Sequence, residues 1–150
     1  MKVFGFAVLA IAPVIVFASR EFGYASHRID DADIQIGETL YGEYCAACHG
    51  KNLEGQPNWQ IPLDDGTMPA PPHDASGHTW HHGNDQLFRY TLLGGEMALA
   101  EQGISNFKSG MPGFAEELSE QEIWNILAFI RSTWPERIQD IQASRSRPHN

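Results

Sequence analysis

The run Cys45-Ala46-Ala47-Cys48-His49 constrains this chain more than any other stretch. Two thiols separated by two small residues, with an imidazole next in line, form the C-x-x-C-H attachment signal of a c-type haem. Each fixed residue has its own task. The thiols of Cys45 and Cys48 add across the vinyl groups of the porphyrin; residues three apart share a helix face, so both sulfurs can address one edge of the macrocycle. His49 turns a ring nitrogen onto the iron as the proximal ligand, and Ala46 and Ala47 let the porphyrin edge approach the backbone. Other readings fit less well. A thioredoxin-like C-x-x-C sits in a βαβ context, and no β-type run flanks this one. Zinc needs more thiolates or suitably spaced histidines, and the chain holds only 2 cysteines. A disulfide across so short a loop would staple almost nothing.

With 150 residues the chain has room for one domain plus appendages. Its formal charge of −9 excludes nucleic acid as a partner, since phosphate binding needs clustered Lys and Arg. The haem propionates would add to that charge, and a redox protein with a basic docking surface is complementary to it. Met1-Lys2 precedes the apolar residues 3–18, and the next charge is Arg20. This reads as an export signal, either cleaved or retained as a membrane-anchoring apolar helix in which Pro13 is tolerable. Either outcome places the rest of the chain on the periplasmic side, where haem attachment would occur. The expected organisation is a signal peptide or membrane anchor over 1–19, a polar tether over 20–32, a haem-binding domain over 33–136 and a polar tail over 137–150. His27 falls in the tether as a solvated residue.

Asp33 is a candidate N-cap for a helix over 34–47. Ile36, Leu40, Tyr41 and Tyr44 fall near helical spacing and form an inward stripe ending at the cysteines. Gly37 in that stripe costs about 1 kcal/mol relative to Ala, which a helix accepts most readily where another backbone must come close. Towards the other end, Ser119 and Glu122 make a capping box for a final helix. Its apolar face is Ile123, Ile126, Leu127 and Ile130, with Phe129 on one flank and Pro135 as the break. Trp124 and Trp134 read as packing residues. The tail beyond would prolong the helix briefly and fray.

Taken together, Gly37-x-x-x-Tyr41 ahead of Cys45-x-x-Cys48-His49, then Met111-Pro112-Gly113-Phe114 and a closing amphipathic helix, resemble a class I cytochrome c over about Asp33 to Trp134. The resemblance implies an all-α fold, with three or more helices and long loops wrapped around one covalently bound haem c. It implies that the first and last helices cross near the glycine, bringing Gly37 and Tyr41 to Ile126 and Phe129. It also implies that the Met111 sulfur binds the iron opposite His49, a pairing that raises the reduction potential relative to more basic axial pairs. Met68 also precedes a proline and is the rival, but no helix follows it. A proline carbonyl is expected to accept the other N–H of the proximal histidine; Pro57 and Pro62 both lie at suitable chain distance.

Between the motif and the middle of the chain, Pro57, Pro62, Pro69, Pro71 and Pro72 exclude regular helix, and so long a loop must be wrapped on something. Trp59 and Trp80 carry indole N–H groups that need a partner when buried, a propionate being one acceptor. His73, His78, His81 and His82 crowd the same region. His78 and His82 could share a metal on a helix, but Gly77 and Gly83 bracket the stretch and no cysteine or carboxylate completes a site. They are read as loop histidines, exposed or touching a propionate. Asn84 or Asp85 should cap a short helix over 86–93, ended by Gly94-Gly95, with a second loop over 96–110.

With His49 and Met111 both bound, the iron has no open position for substrate. The sequence thus points to a single-electron carrier between redox proteins, not an enzyme. The alternatives are a haem sensor or redox-enzyme subunit with a displaceable distal ligand, or a copper site in the histidine-rich loop.

Overall fold

The computed structural model describes residues 29–146. The export segment, most of the tether including His27, and residues 147–150 of the tail lie outside the described residues.

Asp33 opens α1 (Ile34–Tyr44) by accepting the backbone N–H groups of Gln35 and Ile36 at 2.9 and 3.0 Å. Those donors have no partner within the helix, so the carboxylate satisfies two of them. The helix ends at Tyr44 and not at Ala47. Cys45 takes φ −113°, well off the helical value, and a separate turn, α2 (Ala46–His49), carries the rest of the motif. The inward stripe is also narrower than expected. Tyr41 is buried, and Leu40 and Tyr44 are partly so, but Ile36 is 49% exposed. Gly37 is the reason: the glycine face is the one that meets another helix, and Ile36 stands about a hundred degrees away from it.

That other helix is α5 (Glu120–Ser132), opened by the Ser119–Glu122 capping box. A Cβ on Gly37 would lie 2.5 Å from the Asn125 carbonyl carbon, and closer still to its oxygen. The Asn125 side chain reaches back to accept the Asp33 N–H at 2.9 Å. One turn on, the Tyr41 ring meets Phe129 at 5.4 Å. The crossing is thus glycine on backbone followed by aromatic on aromatic, as the resemblance implied. Ile123, Trp124 and Ile126 are each at most 1% exposed, and a buried aliphatic side chain of isoleucine's size contributes about 1.5–3 kcal/mol. Phe88 from α3 (Asn84–Leu93) stacks on Trp124 at 4.6 Å and closes the core from the other side.

The remaining regular structure among the described residues is mostly helical too, with minimal sheet, so the fold is all-α. Residues 96–110, expected as loop, contain most of a short helix, α4 (Gly95–Ala100), that buries Ala98 and Leu99. The fraying tail is instead α6 (Glu136–Arg145), held by polar contacts that leave no apolar period to read. Its Gln142 is 1% exposed and donates to the His82 carbonyl at 3.2 Å and the Asn84 side chain at 2.7 Å. The helix α3 already begins at Asn84, so neither Asn84 nor Asp85 is its cap; Gly83 holds that position without a side-chain bond. One parallel bridge joins β1 (Thr67–Met68) to β2 (Lys108–Ser109), tying the proline-rich loop to the segment before Met111. Among the described residues, no helix is long and apolar enough to cross a membrane.

Candidate functional site

The chain leaves α2 at Gly50 and makes a closed excursion. The N–H of Gly55 donates to the His49 carbonyl at 2.7 Å; Gln56 N–H donates to the Ala70 carbonyl, and Ala70 N–H to the Gln56 side chain, both at 2.8 Å. These bonds pinch the loop at 56 and 70, so Pro57 and Pro62 fall in the exposed excursion. The chain returns as Pro71-Pro72. It is therefore Pro71, not Pro57 or Pro62, whose carbonyl faces His49 Nδ1 at 2.8 Å. A proline pair favours extended backbone with carbonyls free of any ladder, and this was the signal in the sequence for the acceptor.

That contact decides the state of the histidine. A carbonyl only accepts, so Nδ1 carries the proton and Nε2 keeps its lone pair. Burial lowers the His49 pKa, the Pro71 hydrogen bond opposing it in part, and the ring is neutral at pH 7. A neutral imidazole with its distal nitrogen bare and its other N–H anchored is the form that ligates a metal. The thiols of Cys45 and Cys48 are free, Cys45 partly buried and Cys48 exposed. Burial, and then the neighbouring Cys48, push the Cys45 thiol up to about 12. An activated thiol needs the opposite shift, so Cys45 is not poised for thiol exchange. Tyr41, whose pKa burial raises, donates its hydroxyl to the Gly50 carbonyl at 3.0 Å and ties the end of the motif to the helix crossing.

Met111 sits just beyond β2 with its backbone fixed on both sides. Its N–H donates to Ser109 Oγ and its carbonyl accepts from Gly95 N–H, each at 3.1 Å. Gly94, at φ 83°, lies so close that a Cβ would come within 2.7 Å of Gly113 N. Phe114 stands edge-on to Tyr44 at 6.1 Å, which brings the Met-Pro-Gly-Phe turn beside the residue preceding Cys45. Met68 is also nearby in the fold, because β1 pairs it with Ser109. Met97 is 58% exposed on α4.

The four loop histidines do not converge on one point. His73 stacks on His49 with centroids 3.9 Å apart and planes at 19°. His81 stacks on Trp80 at 3.7 Å, while His78 stacks on Trp59 at 5.1 Å and meets His82 edge-on at 5.3 Å. Among the described residues, no three His, Cys, Asp or Glu side chains converge as a metal site, and the copper reading finds no ligand set. Trp80 Nε1 is buried without a hydrogen-bond partner, as is Trp124 Nε1 in the core against Phe88. An unsatisfied buried donor costs about 1–3 kcal/mol; for Trp80, in the loop that follows Pro71, a carboxylate acceptor would remove that cost. The residues present therefore fit a haem: paired free thiols, an anchored imidazole with a bare nitrogen, and an indole donor awaiting an acceptor.

A family model for cytochrome c matches residues 34–134. The chain belongs to the cytochrome c family. This cytochrome is also 30% identical over 104 residues to the cbb3-type cytochrome c oxidase subunit CcoP of Azospirillum brasilense. The match covers 69% of this chain and 29% of that relative, so the cytochrome spans under a third of the subunit's length. No solved structure matches. Membership carries covalent haem c as the cofactor, with Cys45, Cys48 and His49 as the CxxCH motif, and haem-based electron transfer as the activity class. The Pro71 acceptor and the stacked His73 are the two features around the motif that sequence reasoning missed.

Proposed function

We propose that this cytochrome is a single-electron carrier outside the cytoplasm, with thioether links at Cys45 and Cys48 and with His49 Nε2 and the Met111 sulfur as axial ligands. The observation that carries this reading is the 2.8 Å contact between His49 Nδ1 and the Pro71 carbonyl, which leaves one nitrogen free in a buried, neutral ring. When bound, the haem supplies a one-electron couple between ferrous and ferric iron. The chain's own residues do the rest. Pro71 orients the proximal imidazole and raises its basicity. Ser109 and Gly95 hold the Met111 backbone, and Pro112 stiffens the turn that presents a weak ligand. Trp80 Nε1, buried without a partner among the protein groups, would donate to a propionate. Met111 is favoured over Met68 because its backbone is held on both sides and its turn ends on Phe114 beside Tyr44.

With both axial positions filled, no substrate reaches the iron, and the protein is a carrier and not an enzyme in its own right. The similarity to an oxidase subunit supports redox enzymes as partners, and the formal charge of −9 supports a partner with a basic docking surface. An N-terminal export segment would deliver the domain to the periplasmic side, tethered or released. A potentiometric titration of the exported protein, with carbon monoxide added to the ferrous form, tests the proposal. A one-electron wave and a spectrum unchanged by carbon monoxide are expected. Full conversion to a carbonyl adduct would establish the open-site sensor or enzyme reading in its place.

A further inference from the structure

The side chain of His73 is closely engaged with His49, the residue that follows the second cysteine. Its ring lies face to face with His49 at 3.9 Å and 19°. It is itself held at several points. Its backbone N–H donates to the Leu53 carbonyl at 2.8 Å, and its carbonyl accepts from Trp134 Nε1 at 2.7 Å. Ring Nδ1 is 2.8 Å from Thr79 Oγ1, whose hydroxyl donates onward to the Pro72 carbonyl at 3.4 Å. The hydroxyl proton being spent there, the oxygen accepts, and His73 Nδ1 is the donor. Tyr41 packs against the ring edge-on, centroids 6.2 Å apart.

We propose that His73 is a positioning residue whose flat face fixes the rotation of the His49 imidazole, and with it the plane in which the axial ligand meets the iron. The proposal rests on the reading of His49 as a haem ligand. The hydrogen bond to Pro71 holds one ring atom at 2.8 Å, and the ring can still pivot about its Cβ–Cγ bond within the tolerance of that contact. A parallel plane at stacking distance stops that pivot. Because Trp134 and Tyr41 are both buried, the plane is referred to the α1–α5 core and not to a loose loop. The orientation of an axial imidazole selects the iron d orbital with which it shares π density. It therefore sets the distribution of unpaired spin over the porphyrin in the ferric state.

The test compares the haem-loaded full chain with its His73→Phe, His73→Leu and His73→Ala variants, by the haem-methyl NMR shifts and EPR g-values of the ferric form. The two backbone bonds at residue 73 do not depend on its side chain, and leucine keeps comparable bulk without a flat face. The alanine and leucine variants should both show a changed spread of methyl shifts and altered g-values. Phenylalanine, which restores the face but not the Nδ1 donor, should return both towards the parent pattern. Parent-like spectra in the alanine and leucine variants would overturn the proposal, as would a phenylalanine variant that resembles alanine. If the parent chain itself holds no covalent haem, it is the ligand reading that fails, and absence of pigment tells the two failures apart.

Discussion

Two glycines in α1 separate the consequences of the helix crossing from those of helix propensity. Replacing Gly42 by Ala puts a methyl where nothing lies within 4 Å, so the change should stabilise the helix by up to about 1 kcal/mol. At Gly37 the same methyl would lie 2.5 Å from the Asn125 carbonyl carbon and 3.1 Å from Ile126 N. Ordinary carbon contacts are about 3.5–4.0 Å, so α1 and α5 must part locally by about 1 Å. Overpacking of this kind costs about 1–3 kcal/mol. The Asp33 N–H to Asn125 Oδ1 bond at 2.9 Å spans the same crossing, and losing it adds about 1 kcal/mol. Against the propensity gain, Gly37→Ala should lose about 1–3 kcal/mol, leaving a gap of about 2–4 kcal/mol between the two variants. For a domain of this size that is roughly 10 °C in melting temperature. Far-UV circular dichroism of the haem-loaded proteins on heating reads it. A Gly37→Ala variant melting at or above Gly42→Ala would refute the crossing as described.

Ile126→Ala, at a position 1% exposed beneath the same crossing, should cost about 2–5 kcal/mol in urea unfolding, with the slope of the transition unchanged. Acid should loosen the fold through the loop histidines. Burial lowers the pKa of His78 and His82, with His81 adding to both and the partner histidine or Arg145 adding to one each. Unfolding therefore takes up protons below about pH 6.5. Their contribution is fully present above that pH and is lost as the pH falls towards the folded-state values. The urea midpoint of the ferric protein should drop between about pH 7.5 and pH 5.5, and the His78→Gln/His82→Gln double variant should flatten the drop. An equal drop in the variant would place the acid sensitivity elsewhere.

The parts of this fold that could be read from sequence are those written in adjacent residues. The haem motif, the Asp33 cap and the Ser119–Glu122 capping box each need only a few positions in a row, and all three are present as read. The Gly37–Tyr41 crossing also matched expectation, through the resemblance, because a glycine in an apolar stripe announces a close neighbour. What escaped depends on closure between distant segments. Choosing Pro71 over Pro57 or Pro62 requires knowing that Gln56 bonds to Ala70 and pinches off the loop between them. Helix α6 carries its anchor on Gln142, a polar side chain that no apolar periodicity marks and that reaches Asn84 at the start of α3. The stacking of His73 on His49 has no sequence signature beyond the Pro71-Pro72-His73 order.

The proposed ligation of the iron by Met111 is directly open to measurement, and the proposed electron-carrier function depends on it. The ferric protein should show the weak long-wavelength band of a methionine sulfur on haem iron. Met111→Ala should abolish it, lower the midpoint potential and let the ferrous iron take up carbon monoxide, whereas Met68→Ala should leave all three unchanged. A band that survives in Met111→Ala, or one lost in Met68→Ala, would contradict the axial pair.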